Sequence, residues 1–269
     1  MSKGSERADA SSRAVGDVKL EGGIQAPAST PRAGIPMTGG PVKPLVHWKW
    51  LAVGWVAAMA FGALYAIWLQ DGSDWNVGAP WERSLMYWLQ TTYRRPIDDV
   101  FLAVPWIATH YTLIPIILGA AAWLKFKWKR NDLALQLVVV EIGTWTLNQL
   151  PKALYDRDRP QLWEHRGQYA QASYPSGHAI AAIAVLVTIA AIAHRERGWK
   201  WPYAVVALVL VVNLYSRLYL GVHWPSDVIA GIGMGGIWLL ASLKAFPGRG
   251  DIRSRPASSA SRPVSPDSI

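Results

Sequence analysis

The chain has 269 residues, of which 51% are hydrophobic, with 16 tryptophans, no cysteine and a formal net charge of +9. Without cysteine there is neither a disulfide framework nor a thiolate nucleophile. The apolar residues fall in long blocks rather than at the spacing of a soluble core, which argues against a soluble one- or two-domain enzyme.

Residues 1–44 are rich in Ser, Gly, Ala and Pro with scattered charges, and read as a flexible N-terminal tail. Six apolar blocks follow, at 46–70, 99–124, 132–151, 175–194, 201–220 and 225–245. The first contains LAVGWVAAMAFGALYAIWL, long enough to cross a hydrocarbon layer of ~30 Å. It is too long for the apolar region of a cleavable signal and reads as an anchor. Trp48, Trp50, Trp123, Trp128, Trp199 and Trp201 sit near block ends, where an aromatic belt lies. Between blocks one and two, PWERSLMYWLQTTY places Trp81, Leu85, Trp88 and Leu89 on one helical face, away from Glu82, Arg83 and Gln90. That pattern predicts a helix in the interface plane, either packed on the bundle or bordering a lipid entry route. Residues 246–269 repeat the composition of the first tail. The expected fold is therefore all-α: a polytopic membrane bundle of about six transmembrane helices over 45–245, with a tail at each end.

The positive charge is placed by topology. Lys and Arg concentrate in the N-terminal tail, in the link Lys125–Arg130, in the link Arg195–Lys200 and in the C-terminal tail. With six crossings these regions share one side, which the positive-inside rule makes cytoplasmic. Nucleic acid is not an expected partner; the bilayer is.

Three polar constellations interrupt the apolar pattern: KALYDRDRP (Lys152–Pro160), YPSGH (Tyr174–His178) and SRLYLGVHWPSD (Ser216–Asp227). The charge-derived topology puts all three on the outer face. Lys152, Arg159 and Arg217 offer cations suited to phosphate oxygens. If helical, Lys152 and Arg159 lie two turns apart on one face. Ser176 and Gly177 open a helix whose N–H groups favour an anion, and Gly177 lets the backbone approach closely. These five groups describe a phosphate cradle. His223 and Asp227 are spaced i, i+4, so the carboxylate can orient the imidazole. No serine or cysteine is placed to be activated, so His223 itself is the expected nucleophile, forming a phosphohistidine. His178 then serves as general acid toward the leaving oxygen and later as base for water. No metal and no cofactor is called for.

The sequence K-x6-R-P, P-S-G-H and S-R-x5-H-x3-D resembles the signature of the type 2 phosphatidic acid phosphatase superfamily, which also includes vanadium haloperoxidases and glucose-6-phosphatase. The matching positions are Lys152, Arg159 and Pro160; Pro175, Ser176, Gly177 and His178; and Ser216, Arg217, His223 and Asp227. The resemblance covers about 100–230. It implies an all-helical bundle, metal-independent phosphate release, His223 as nucleophile and His178 as acid/base.

The expected function is an integral-membrane lipid phosphatase in a plasma membrane, with its site outside and both termini cytoplasmic. An isoprenyl diphosphate such as undecaprenyl diphosphate fits as substrate, as do phosphatidate and phosphatidylglycerophosphate. The alternatives are a lipid phosphotransferase using the same residues, a vanadate-dependent haloperoxidase, and a non-catalytic lipid-binding or scrambling protein. A homodimer is left open. His47, His110 and His194 read as structural histidines, and Asp156, Arg157 and Asp158 as solvated loop charges, with contact to phosphate the alternative for Arg157. Glu141, inside block three, reads either as a functional intramembrane carboxylate or as a helix contact to Asn148 or Trp145.

Overall fold

The computed structural model describes residues 46–72, 75–93, 97–164 and 172–247. The described residues lie in one compact unit. The two expected tails fall outside them, except Phe246 and Pro247; Phe246 is buried against the core, so packing runs past the expected boundary at 245.

The described elements are helical. They are α1 (Trp48–Asp71), α2 (Pro80–Thr91), α3 (Ile97–Ala103) with a following 3-10 turn (Val104–Ala108), α4 (His110–Phe126), α5 (Asn131–Tyr155), α6 (Gly177–Ala181), a π-helical turn (Ala182–Leu186), α7 (Val187–Arg197), α8 (Trp201–Tyr219) and α9 (Pro225–Ala245). Four spans are long and apolar enough to cross a membrane: Trp48–Asp71, Gly177–Arg197, Trp201–Tyr219 and Pro225–Ala245. At 1.5 Å per residue, the 24 residues of α1 extend about 36 Å, enough for the hydrocarbon layer. Val53, Val56 and Leu64 on α1, and Leu208 and Val211 on α8, are exposed, as lipid-facing side chains are. Trp48, Trp123, Trp199 and Trp201 are exposed at helix ends.

Block two departs from the single span expected at 99–124. Asp99–Ala108 and His110–Phe126 are bent by 47° and make a fifth crossing only if taken together. Pro105 opens the 3-10 turn, and Thr109, in extended conformation, caps α4 by accepting from the Thr112 N–H. The chain therefore stops one helix and starts another where periodicity alone read one. The expected count of six is not reached by length and composition. The remaining block, α5, is 25 residues long but buries Gln136, Glu141, Thr144 and Asn148 within the bundle.

Small residues bring the helices together. A Cβ on Gly54 would lie 2.0 Å from the Cβ of Ala241, so α1 and α9 approach at backbone distance. Close van der Waals packing of this kind holds helices together in lipid, where there is no hydrophobic drive to associate. Three residues before Ala241 on α9, the indole of Trp238 donates to Val140 O on α5 at 3.0 Å.

The helix expected here forms as α2, with Trp81 and Trp88 exposed and Glu82, Met86 and Leu89 buried. Glu82, read as outward, is 1% exposed and points into the protein. Its burial is compensated: Oε1 accepts from the Ser226 N–H and hydroxyl at 3.0 and 2.6 Å, and Oε2 from the Ala79 N–H at 2.9 Å.

Candidate active site

The three polar constellations converge at one end of the bundle. Lys152 sits in the last turn of α5. The helix then stops at Asp156, whose left-handed backbone (φ +36°) turns the chain away. Arg159 is therefore not on a helical face shared with Lys152, as the seven-residue spacing had suggested. The returning loop brings it in, and its guanidinium donates to Val222 O at 2.5 Å. Arg217 lies in the last turn of α8 and is 2% exposed. His223 precedes α9, and His178 follows Gly177 at the start of the span Gly177–Arg197.

Lys152, Arg159, Gly177, His178, Arg217 and His223 line a single cavity of about 310 Å³. The rings of His178 and His223 stand 6.5 Å apart at 66°. Gly177 has no room for a side chain. A Cβ there would come within 2.4 Å of Asn148 Oδ1, and Asn148 lines the same cavity. The Lys152 ammonium donates to the carbonyl of Ala172, which fixes its position beside the histidines.

Two predicted residues stand behind the cavity wall rather than in it. Ser176 is fully buried; its N–H donates to Asp227 O at 3.0 Å, joining the start of α6 to α9. Its hydroxyl has no hydrogen-bond partner among the described residues. Asp227 is also fully buried, with Oδ2 3.5 Å from His223 Nδ1. That is ion-pair range, not a hydrogen bond. The closer contacts of Asp227 are with the Trp224 N–H at 2.8 Å, as an N-terminal cap of α9, and with Arg157 at 2.7 Å.

Arg157 is the main residue that sequence reasoning misplaced. Read as a solvated loop charge, it is 1% exposed. Its guanidinium donates to Asp227 Oδ1 and Ser226 Oγ at 2.7 Å, to Glu82 Oε2 at 3.3 Å and to Trp75 O at 2.7 Å. It also lies over the Trp75 and Trp224 rings, at 4.8 and 5.6 Å. The run D-R-D-R gives no local hint of this, because both carboxylate partners are distant in sequence. Tyr174 packs inside, donating to Gly62 O at 2.6 Å. Glu141 pairs with neither Asn148 nor Trp145; its Oε1 lies 2.6 Å from Nδ1 of His110, another cavity-lining residue.

The electrostatics suit an anion. Burial and the neighbouring Arg159, Lys152 and Arg217 charges push the His223 pKa well below the usual imidazole value, which favours the neutral ring. Three cationic residues around a neutral imidazole, with a second histidine facing it, offer charge complementary to a phosphate dianion and a ring nitrogen suited to attack it.

A helical membrane bundle that gathers these side chains at the end of its helices defines a class: membrane proteins with a buried histidine pair ringed by cationic residues. The particular lineage is also clear. A profile of the PAP2 superfamily matches residues 133–251. The chain is 30% identical over 162 residues to phosphatidylglycerophosphatase B of Bacillus subtilis, covering 57% of this chain and 77% of that one. It is 45% identical over 74 residues to an undecaprenyl-diphosphatase of Sulfolobus acidocaldarius, covering 28% of this chain and 31% of that one. The fold is similar to the crystal structure of a transmembrane PAP2-type phosphatidylglycerolphosphate phosphatase from Bacillus subtilis. The TM-score is 0.61 at 21% identity, over 75% of this chain and 97% of the other. This chain belongs to the PAP2 superfamily.

Proposed function

We propose that this protein is an integral-membrane lipid phosphatase, hydrolysing a phosphomonoester or diphosphate of a lipid through a phosphohistidine. The single observation that carries the reading is the shared cavity: two histidines and three cations, drawn from α5, α8, the start of α6 and two loops, line one space of about 310 Å³. Its match to a phosphatidylglycerophosphatase and to an undecaprenyl-diphosphatase points to lipid-borne phosphate.

The reaction balances on these residues alone. Nδ1 of His223 faces Asp227, so Nε2 attacks phosphorus. The bond from phosphorus to the leaving oxygen breaks as His178 gives that oxygen its proton. Lys152, Arg159, Arg217 and the Gly177 backbone offset the charge on the transferring phosphoryl group. Water then attacks the phosphohistidine, His178 takes the water's proton, and phosphate leaves with His223 regenerated. Ser176 supports the Gly177 turn from behind. Asp227, tied to Arg157, fixes the start of α9 and the side on which His223 lies.

The domain is taken as 45–245 in a plasma membrane, with the site outside and both termini in the cytoplasm. Supporting this, the basic links fall at the opposite end of the helices from the site. Arg130, before α5, pairs with Asp132 and with Glu196 near the end of α7, so the two links meet. Lys152 lies near the other end of α5, and His178 near the other end of the span Gly177–Arg197.

The test is phosphate release by the purified protein in detergent with EDTA, from undecaprenyl diphosphate, phosphatidate and phosphatidylglycerophosphate, with His223→Ala as control. Release lost in the variant supports the reading. No release from any of them, with phosphate appearing on an added acceptor lipid, would replace it by the phosphotransferase.

A further inference from the structure

Across the cavity from the catalytic histidines stands a third. His110 begins α4 and lines the cavity with Thr109 and Tyr111. Its Nδ1 lies 2.6 Å from Oε1 of Glu141, a side chain 9% exposed in the middle of α5. His110 Nε2 and Glu141 Oε2 are buried and have no hydrogen-bond partner among the described residues, so a ligand phosphate would reach Nε2 only with a small turn of the ring toward the cavity. A carboxylate inside a membrane span is costly, and such residues mark function by default. A packing contact between α4 and α5 would be met by apolar side chains at lower cost.

The surroundings give the pair a place. A second cavity, of about 490 Å³, lies between α4 and α5, bordered by Ile117, Leu118, Val138, Ile142 and Glu141. It shares Ile114 and Trp145 with the catalytic cavity. Passing from one to the other, the chemistry changes in order: a cationic cradle, then the His110–Glu141 pair, then an apolar space. A lipid diphosphate has the same order: terminal phosphate, second phosphate, hydrocarbon chain.

We propose that His110, oriented by Glu141, is a specificity residue that binds the lipid-proximal phosphate of a lipid diphosphate, while the terminal phosphate occupies the cradle and the chain enters the α4–α5 space. The proposal rests on the phosphatase reading above and names its substrate class. With its Nδ1 proton committed to a carboxylate, the imidazole offers Nε2 to phosphate. As an imidazolium paired with the Glu141 carboxylate, the ring donates a charge-assisted bond from Nε2 to P–O⁻. A monophosphate seated in the cradle has no group at that position.

The experiment compares kcat/KM for farnesyl diphosphate and for phosphatidate in wild type, His110→Gln and Glu141→Gln. The diphosphate-to-monophosphate ratio should fall about 10- to 100-fold in His110→Gln, the range for one lost hydrogen bond to a charged group. Glu141→Gln should move it in the same direction. As a check that needs no turnover, wild type should be inhibited more strongly by methylenediphosphonate than by methylphosphonate, and His110→Gln should remove that preference. Equal losses on both substrates with the inhibitor preference intact would make His110 a structural residue and overturn the proposal, as would an unchanged ratio. Wild type inactive on both lipids would instead sink the phosphatase reading, and this subsite with it.

Discussion

Arg157 donates to Asp227 Oδ1 at 2.7 Å, directly behind the histidine that faces the cavity. The same guanidinium reaches Glu82 on the interfacial helix, so one buried cation ties α2, the loop after α5 and the start of α9 into a single support. Arg157 is the cation that Glu82 and Asp227 share, and all three are 1% exposed or less, so its loss leaves both carboxylates buried without it.

Arg157→Ala should therefore destabilise the fold by about 3–5 kcal/mol, the usual cost of leaving buried charge unpaired. Arg157→Lys should recover only part of this, because an ammonium cannot span the same set of acceptors. Thermal melts in detergent measure both. A melting point unchanged in Arg157→Ala would show that the carboxylates take up protons at little cost.

His223→Ala should remove the attacking nitrogen and lower turnover by at least about 10³-fold, while the melting point stays near that of wild type. Phosphate release and a melt on the same preparation separate the two effects. A rate within tenfold of wild type would rule out covalent catalysis at this residue.

Gly177→Ala should impair activity far more than stability. The added methyl would meet the Asn148 side chain at 2.4–2.9 Å, and Asn148 must move within the cavity. A shift of about 1 Å at a catalytic wall costs on the order of 10²-fold in kcat/KM. Asn148→Ala in the same chain makes room and should restore a part of the loss, which steady-state kinetics of the double variant would reveal.

The pH dependence follows from His223. Burial and the cations Arg159, Lys152 and Arg217 disfavour its charged form, so its pKa lies below the usual 6.5. The neutral, attacking form is lost only as pH falls through that lowered value. The acid limb of kcat/KM should accordingly lie below pH 6.5, measured with two substrates whose phosphates titrate differently so that a shared limb belongs to the enzyme. A shared limb above pH 6.5 would contradict this environment.

Activity should also persist within about twofold in EDTA, since Lys152, Arg159 and Arg217 can supply the charge stabilisation for phosphoryl transfer. Strict dependence on added magnesium would show the cradle to be insufficient.

The sequence by itself determined the helical membrane class and singled out residues that the fold gathers at one cavity, Lys152, Arg159, Gly177, His178, Arg217 and His223. Both are local properties: span length sets what can cross a bilayer, and motif spacing places charges at block ends. Tertiary structure decided the rest, because it depends on partners far apart in the chain. Arg157 meets Glu82 across 75 positions, Ser226 meets Glu82 across 144, and His110 meets Glu141 across 31. Each pairing makes tolerable a burial that composition alone would forbid, turning residues that read as solvated or merely structural into the frame of the site. The 47° bend before α4 is of the same kind. The apolar run through it is continuous, but Pro105 and the Thr109 cap break the helix, and that break carries His110 to the cavity.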